Sequence, residues 1–148
     1  MSRFSLIFIG SFTLLISLFS FLNIIYSYYL NLFLNINTYF ITFLFTLTLG
    51  LFLIFFKRIH FKKINMYEKI FIVIIGYLFF PVIISLPFYF SINNISYLNS
   101  YFEAISGFTS TGFSIFDNIK QLDQSLIIWR SSSQWIGGLY FLFSLLLY

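Results

Sequence analysis

The 148-residue sequence has no cysteine, one histidine, four acidic residues and two prolines. Without cysteine there is no disulfide framework and no thiolate metal centre, and the redox compartment stays undetermined. The lone histidine, His60, stands among basic residues and has no partner ligands for a metal. Charged residues make up only 8% of the chain, whereas an ordinary soluble domain carries about a quarter, which excludes a globular cytosolic protein. Enzyme signatures are missing too: there is no Ser/His/Asp set in context, no phosphate-binding glycine loop and no carboxylate pair in an apolar run. The expectation is a protein that is not an enzyme and needs no cofactor. What is abundant is apolar surface, at 60% of residues, with 24 phenylalanines and a mean hydropathy of +0.97. Such content excludes disorder. The net charge of +4 does not point to nucleic acid, because the basic residues cluster between apolar runs as in a membrane protein's cytoplasmic loop.

About 20 apolar residues cross the hydrocarbon core as a helix. Three uncharged or nearly uncharged runs reach that length: 4–30, 38–56 and 70–90, the last containing Pro81. A fourth, 134–148, is apolar but shorter. Lys57, Arg58, Lys62, Lys63 and Lys69 fall between the second and third runs, and Arg3 precedes the first. The positive-inside rule therefore places the N-terminus and the 57–69 loop in the cytoplasm and the segment 91–133 outside. The first run exceeds a signal-peptide core and lacks a small-x-small cleavage site, so it is expected to stay. Pro81 removes the backbone bond to Tyr77, which predicts a kink.

Within 91–133, Leu98, Tyr101, Phe102 and Ile105 recur at helical spacing. Ser96 suits the N-cap, and Gly107 suits a left-handed C-terminal stop. Asn94-Ile95-Ser96 also fits a glycosylation acceptor. The stretch Phe108-Thr109-Ser110-Thr111-Gly112-Phe113-Ser114 follows. Backbone of this kind at membrane depth must be buried in protein or line water, and unpaired carbonyls can then replace a cation's hydration shell. The preceding helix would turn the negative end of its dipole toward the ion. Ser/Thr/Gly clusters are also ordinary turns, so these residues alone leave a filter strand and an external turn both open. Glu103 reads as a tolerated helix charge or as a carboxylate that attracts cations and supports the strand. Arg130 has Glu103, Asp117 and Asp123 as possible partners. Trp129 and Trp135 read as interfacial anchors, and the basic run 57–63 as a topology signal and headgroup anchor.

The wider order changes the weighting. Phe102-Glu103-Ala104-Ile105-Ser106-Gly107-Phe108-Thr109-Ser110-Thr111-Gly112 is followed by Trp129-Arg130-Ser131 and Gln134-Trp135-Ile136-Gly137-Gly138. This pattern resembles the Trk/Ktr potassium-uptake family, specifically its TrkH-type membrane subunit, whose motifs read FEAxSGFTTTG and WRSxxQWxGG. The resemblance implies an all-α membrane protein in which a two-helix hairpin, 1–56, and a basic loop, 57–69, precede the first membrane–pore loop–membrane repeat, 70–148. That repeat would hold an outer helix at 70–90, a pore helix at 97–108, a filter at 109–114 and a truncated inner helix at 134–148. Thr109, Ser110, Thr111, Gly112 and Phe113 would be the filter, with K+ held by backbone oxygens of Ser110, Thr111 and Gly112. Glu103, Gly107, Arg130, Gly137 and Gly138 would support the pore. The implied function is potassium uptake through a pore of four such repeats in one chain. It would be a multi-pass protein of the inner membrane, homodimeric when full-length and working with a cytosolic nucleotide-binding gating subunit. Three departures stand out: Phe113 where a small residue is common, Leu139-Tyr140 where a further glycine is common, and a chain that ends inside the inner helix. The competing reading is a non-transport helical membrane anchor or assembly module.

Overall fold

A peptide group in hydrocarbon has no water to bond, so each apolar run closes its own hydrogen bonds as a helix. The computed structural model describes residues 3–55, 65–117, 119 and 122–146. Among them are α1 (Arg3–Tyr29), α2 (Ile36–Phe55), α3 (Met66–Ser91), α4 (Tyr97–Phe108) and α5 (Gln124–Leu146), with a 3-10 turn at Phe33–Asn35 and no strand. Three of these helices, α1, α2 and α3, are long and apolar enough to cross a membrane. The basic cluster Lys57, Arg58, His60, Lys62 and Lys63 lies outside the described residues. α3 runs through both Pro81 and Pro87 without interruption.

α1 and α2 form an antiparallel hairpin whose seam is small and polar. Gly10 faces Gly50 and Ile54, the Ser20 hydroxyl donates to the Tyr39 carbonyl at 2.8 Å, and Phe21 meets Phe43. Small residues let the backbones approach, which replaces the hydrophobic drive that lipid cannot supply. Thr13, Thr42 and Thr46 return their hydroxyls to the carbonyl four residues back, so these buried donors stay paired within their own helices. α1 stops at a Schellman turn: Asn31 is left-handed (φ 56°), and the Asn31 and Leu32 amides bond the Tyr28 and Ser27 carbonyls.

Tyr140 on α5 ties the layers together. Its ring lies 5.0 Å from Phe12 of α1, 5.3 Å from Phe80 of α3 and 5.5 Å from Phe108 of α4. Its hydroxyl donates to the Ile72 and Val73 carbonyls, at 3.1 and 3.0 Å. Gly76 leaves the room that the phenol occupies. The tyrosine found where a glycine was expected is thus met by a glycine on the opposing helix.

α5 starts ten residues before the apolar run that announces it in the sequence. Asp123 caps it, accepting the Ser125 amide at 3.0 Å. Asn35 and Tyr39 of the hairpin hold the same end through Asp123 (2.9 Å) and the Ser125 hydroxyl (3.2 Å). Trp129, expected as an interfacial anchor, is instead fully buried. Its indole N–H donates to the Ile84 carbonyl at 2.9 Å, and its ring packs on Tyr39. Trp135 does face outward.

Candidate functional site

α4 begins as its sequence predicts. Ser96 is extended, and its hydroxyl accepts the Asn99 amide at 3.2 Å. From there α4 runs back along α3. Tyr97 at its start packs on Tyr89 near the end of α3, while Phe108 at its finish packs on Tyr77 and Phe80. Tyr77 lies about 21 Å back from the Ser91 end of a helix about 39 Å long, so α4 finishes halfway along α3.

The face by which α4 packs is the reverse of the one the apolar stripe suggested. Ser100, Glu103, Ala104, Ser106, Gly107 and Phe108 are buried, whereas Leu98 and Phe102 face outward. In a membrane the outer medium is itself apolar, so the polar groups are the ones that must be enclosed by protein.

Gly107 is not the left-handed stop. α4 continues to Phe108, and Ser110 takes the left-handed conformation (φ 57°). The Ser110 amide bonds the Gly107 carbonyl at 2.9 Å and the Thr111 amide bonds the Ser106 carbonyl at 3.1 Å, a second Schellman turn. Gly107 serves packing instead, since a Cβ there would overlap the Ser133 hydroxyl. Gly137 does the same from α5, facing the Phe108 carbonyl so closely that no Cβ fits, whereas Gly138 has open space beside it. Gly137→Ala is therefore expected to push α4 and α5 apart and cost about 1–3 kcal/mol. Gly138→Ala should be neutral or slightly stabilising through helix propensity. Equal thermal unfolding of the two variants in detergent would contradict this assignment.

Beyond the turn, the irregular segment 110–115, a single strand of chain with no β-pairing, is held from behind. Glu103, completely buried, accepts the Ser114 hydroxyl and the Ile115 amide, each at 2.6 Å. Its other oxygen meets Arg130 Nε at 3.0 Å. Of the partners open to Arg130 in the sequence, the structure selects Glu103. The Arg130 guanidinium also donates to the Gly112 and Phe113 carbonyls, at 3.3 and 3.1 Å, and the Ser106 hydroxyl reaches the Phe113 carbonyl at 2.6 Å. Gly112 has φ +80° with nothing within 4 Å of where a Cβ would stand, so its backbone conformation, not crowding, calls for glycine. Residues 109–113 are exposed in this chain. The structure thus brings Glu103, Arg130 and residues 110–115 together. Gly107 and Gly137 brace the helix beneath them, and Gly138 stands apart. Sequence reading weighed Asp123 only as a partner for Arg130 and missed its role as the cap of α5, for which the N-cap preference of aspartate was the available signal; it also missed the hold of the Ser106 hydroxyl on the Phe113 carbonyl.

A family model described as TrkH, cation transport protein, matches residues 35–145. Among curated proteins, the chain is 32% identical over 77 residues to an uncharacterised cation transporter of Methanocaldococcus jannaschii, covering 52% of this chain and 16% of that protein. It is 38% identical over 55 residues to the Trk system potassium uptake protein TrkI of Halomonas elongata, covering 37% and 11%. To the Trk system potassium uptake protein TrkG of Escherichia coli it is 30% identical over 69 residues, covering 46% and 14%. The chain matches 16% or less of the length of these relatives. No solved structure matches it. With three helices fit to span, this is a multi-pass membrane protein, and it belongs to the TrkH family of cation transport proteins, which are transporters and not enzymes.

Proposed function

We propose that this chain supplies one filter strand, residues 109–114, to a potassium-uptake transporter, with α3, α4 and α5 as its first membrane–pore–membrane repeat and α1–α2 as a preceding hairpin. The observation that carries the reading is the strand at the end of α4, halfway along a membrane-length helix, with a buried ion pair braced behind it and residues 109–113 exposed. Irregular backbone at such depth is tolerated where it lines an aqueous path, and there its carbonyls can stand in for hydration water. The potassium uptake named for TrkI and TrkG supports the choice of ion. On this reading the other repeats complete the ring of oxygens. The full-length protein sits in the inner membrane as a homodimer with a cytosolic nucleotide-binding gating subunit, and its N-terminus is cytoplasmic.

A strain stripped of its own potassium-uptake systems tests the function. Carrying the full polypeptide that contains this sequence, it is expected to grow on micromolar potassium and to take up rubidium. Protein present in the membrane without either effect rejects transport in favour of the anchor reading. Orientation has its own test, made in a background from which any cysteine outside these 148 residues has been removed; the residues themselves contain none. Asn94→Cys should react with a membrane-impermeant thiol reagent applied to intact cells, and Lys62→Cys should react only after permeabilisation. The opposite pattern inverts the topology.

A further inference from the structure

Residues 92–123 join α3 to α5 and carry α4 with the segment after it, and both ends of this connection are held from the entry to α2. At the α3 end, the Ser91 and Thr38 hydroxyls lie 3.1 Å apart. Thr38 donates its own proton to the Asn35 carbonyl at 2.8 Å, so Ser91 is the donor between them. At the α5 end, the Asn35 side-chain nitrogen donates to the Asp123 carboxylate at 2.9 Å and to the Ser125 hydroxyl oxygen at 3.3 Å. The Tyr39 hydroxyl reaches that same Ser125 oxygen at 3.2 Å. Asn35, Tyr39 and Ser125 are all buried. A connection that contains the whole candidate strand thus starts and finishes on side chains drawn from about one helical turn of the hairpin.

We infer that the α1–α2 hairpin is a clasp that sets the geometry of the filter from outside the pore repeat, with Asn35 and Tyr39 as positioning residues that act through α5 on Arg130. The inference rests on the filter reading above and goes beyond it by giving the hairpin a part in ion passage. Bringing together the ends of so long a connection costs entropy, which the contacts of α2 with both ends offset. The route from clasp to filter is short. Asp123 caps α5, and Arg130 follows seven residues later, about two turns along the same helix. Tyr39 supplies a second route, since its ring packs at 5.8 Å on Trp129, the residue before Arg130. The Trp129 indole is itself tied to α3 through the Ile84 carbonyl at 2.9 Å. Arg130 then meets Glu103 and the backbone of 112 and 113, so a shift of α5 at its cap is carried to the segment that faces the ion on the filter reading. Because the clasp is buried, losing one member leaves its partners unmet and not rehydrated.

Exchanging two residues tests the clasp. Asn35→Asp sets a second carboxylate against that of Asp123, which removes the donor and adds repulsion between like charges. The double variant Asn35→Asp/Asp123→Asn reverses the polarity of the bond: the new amide at 123 donates to the new carboxylate at 35, while its oxygen still caps the Ser125 amide. Each change is made in the full polypeptide carrying this sequence, and the rubidium-over-sodium uptake ratio is measured per unit of folded protein in the membrane. Asn35→Asp is expected to lower the ratio about fivefold, the order of one net hydrogen bond, and the exchange to restore it to within about twofold of wild type. Tyr39→Phe keeps the ring on Trp129 and loses only the bond to Ser125, so it should lower the ratio about twofold. A hairpin that only anchors the protein would change its amount and leave the ratio alone, and that result in both Asn35→Asp and Tyr39→Phe overturns the proposal. An exchange variant that folds yet stays as unselective as Asn35→Asp overturns it too. Should Asn35→Asp fail to fold, Tyr39→Phe decides, and a wild-type ratio there sinks the clasp. Wild type that takes up no rubidium removes the filter reading and the clasp together, whereas normal uptake with unmoved ratios in the variants removes the clasp alone.

Discussion

Gly112→Asp in the full-length transporter is expected to abolish discrimination between potassium and sodium and to slow uptake. Space is not the obstacle, because no atom lies within 4 Å of the position a Cβ would take. The first cost is conformational: a φ of +80° penalises an L side chain by about 1–2 kcal/mol, so the strand relaxes toward negative φ and loses its bend. The second is electrostatic. If residue 112 lines the proposed filter, a carboxylate about 5 Å from a permeating monovalent cation would attract it by about 3 kcal/mol at an effective dielectric near 20. That attraction is the same for sodium and potassium, and it holds the ion too long for rapid passage. Gly112→Ala separates the two costs, since it carries the first without the second and should retain part of the selectivity. Rubidium uptake with sodium competition is the measurement. Wild-type growth on low potassium together with unaltered sodium exclusion in Gly112→Asp would remove residue 112 from the filter.

Glu103→Ala should be the most destabilising single change in the site. It strands Arg130, whose side chain is 11% exposed, and it orphans the Ile115 amide and the Ser114 hydroxyl. Breaking a buried pair by deleting one partner costs about 3–5 kcal/mol, and an unmet buried N–H adds about 1–3 kcal/mol. The loss is expected as a large fall in folded protein and in unfolding midpoint during denaturation in mixed micelles. Glu103→Gln retains the shape and an acceptor and should lose much less. The double variant Glu103→Gln/Arg130→Met should lose less than the sum of its single changes, because the two residues share one network. A drop below about 1 kcal/mol for Glu103→Ala is too small for a buried cross-link.

The spans were legible because lipid imposes a single rule: a run of about 20 uncharged apolar residues must be a helix. The start of α4 was legible to the residue, since Ser96 is a local cap and its bond to Asn99 needs no distant partner. Signals whose meaning depends on the surrounding medium were misread. The stripe of Leu98, Tyr101, Phe102 and Ile105 marks a helix, yet it does not mark the face that packs on protein. Trp129 looks like an anchor by residue type, but a carbonyl 45 residues upstream claims its N–H. Gly107 reads as a stop, although the turn it precedes is made by Ser110, and only Ser133 across the interface explains the glycine. α5's polar first half hid its start, because hydropathy does not register a cap such as Asp123.

By itself the sequence determined that this chain lives in a bilayer, where its spanning helices lie, and that a short capped helix leads into a Ser/Thr/Gly strand. These follow from composition, run length and contacts within a few residues. Tertiary structure alone decided which acid Arg130 takes, which of two adjacent glycines touches α4, and which of the strand's carbonyls are already engaged. Those outcomes depend on residues far apart in the chain meeting at hydrogen-bond distance, and one-dimensional spacing carries no measure of that separation.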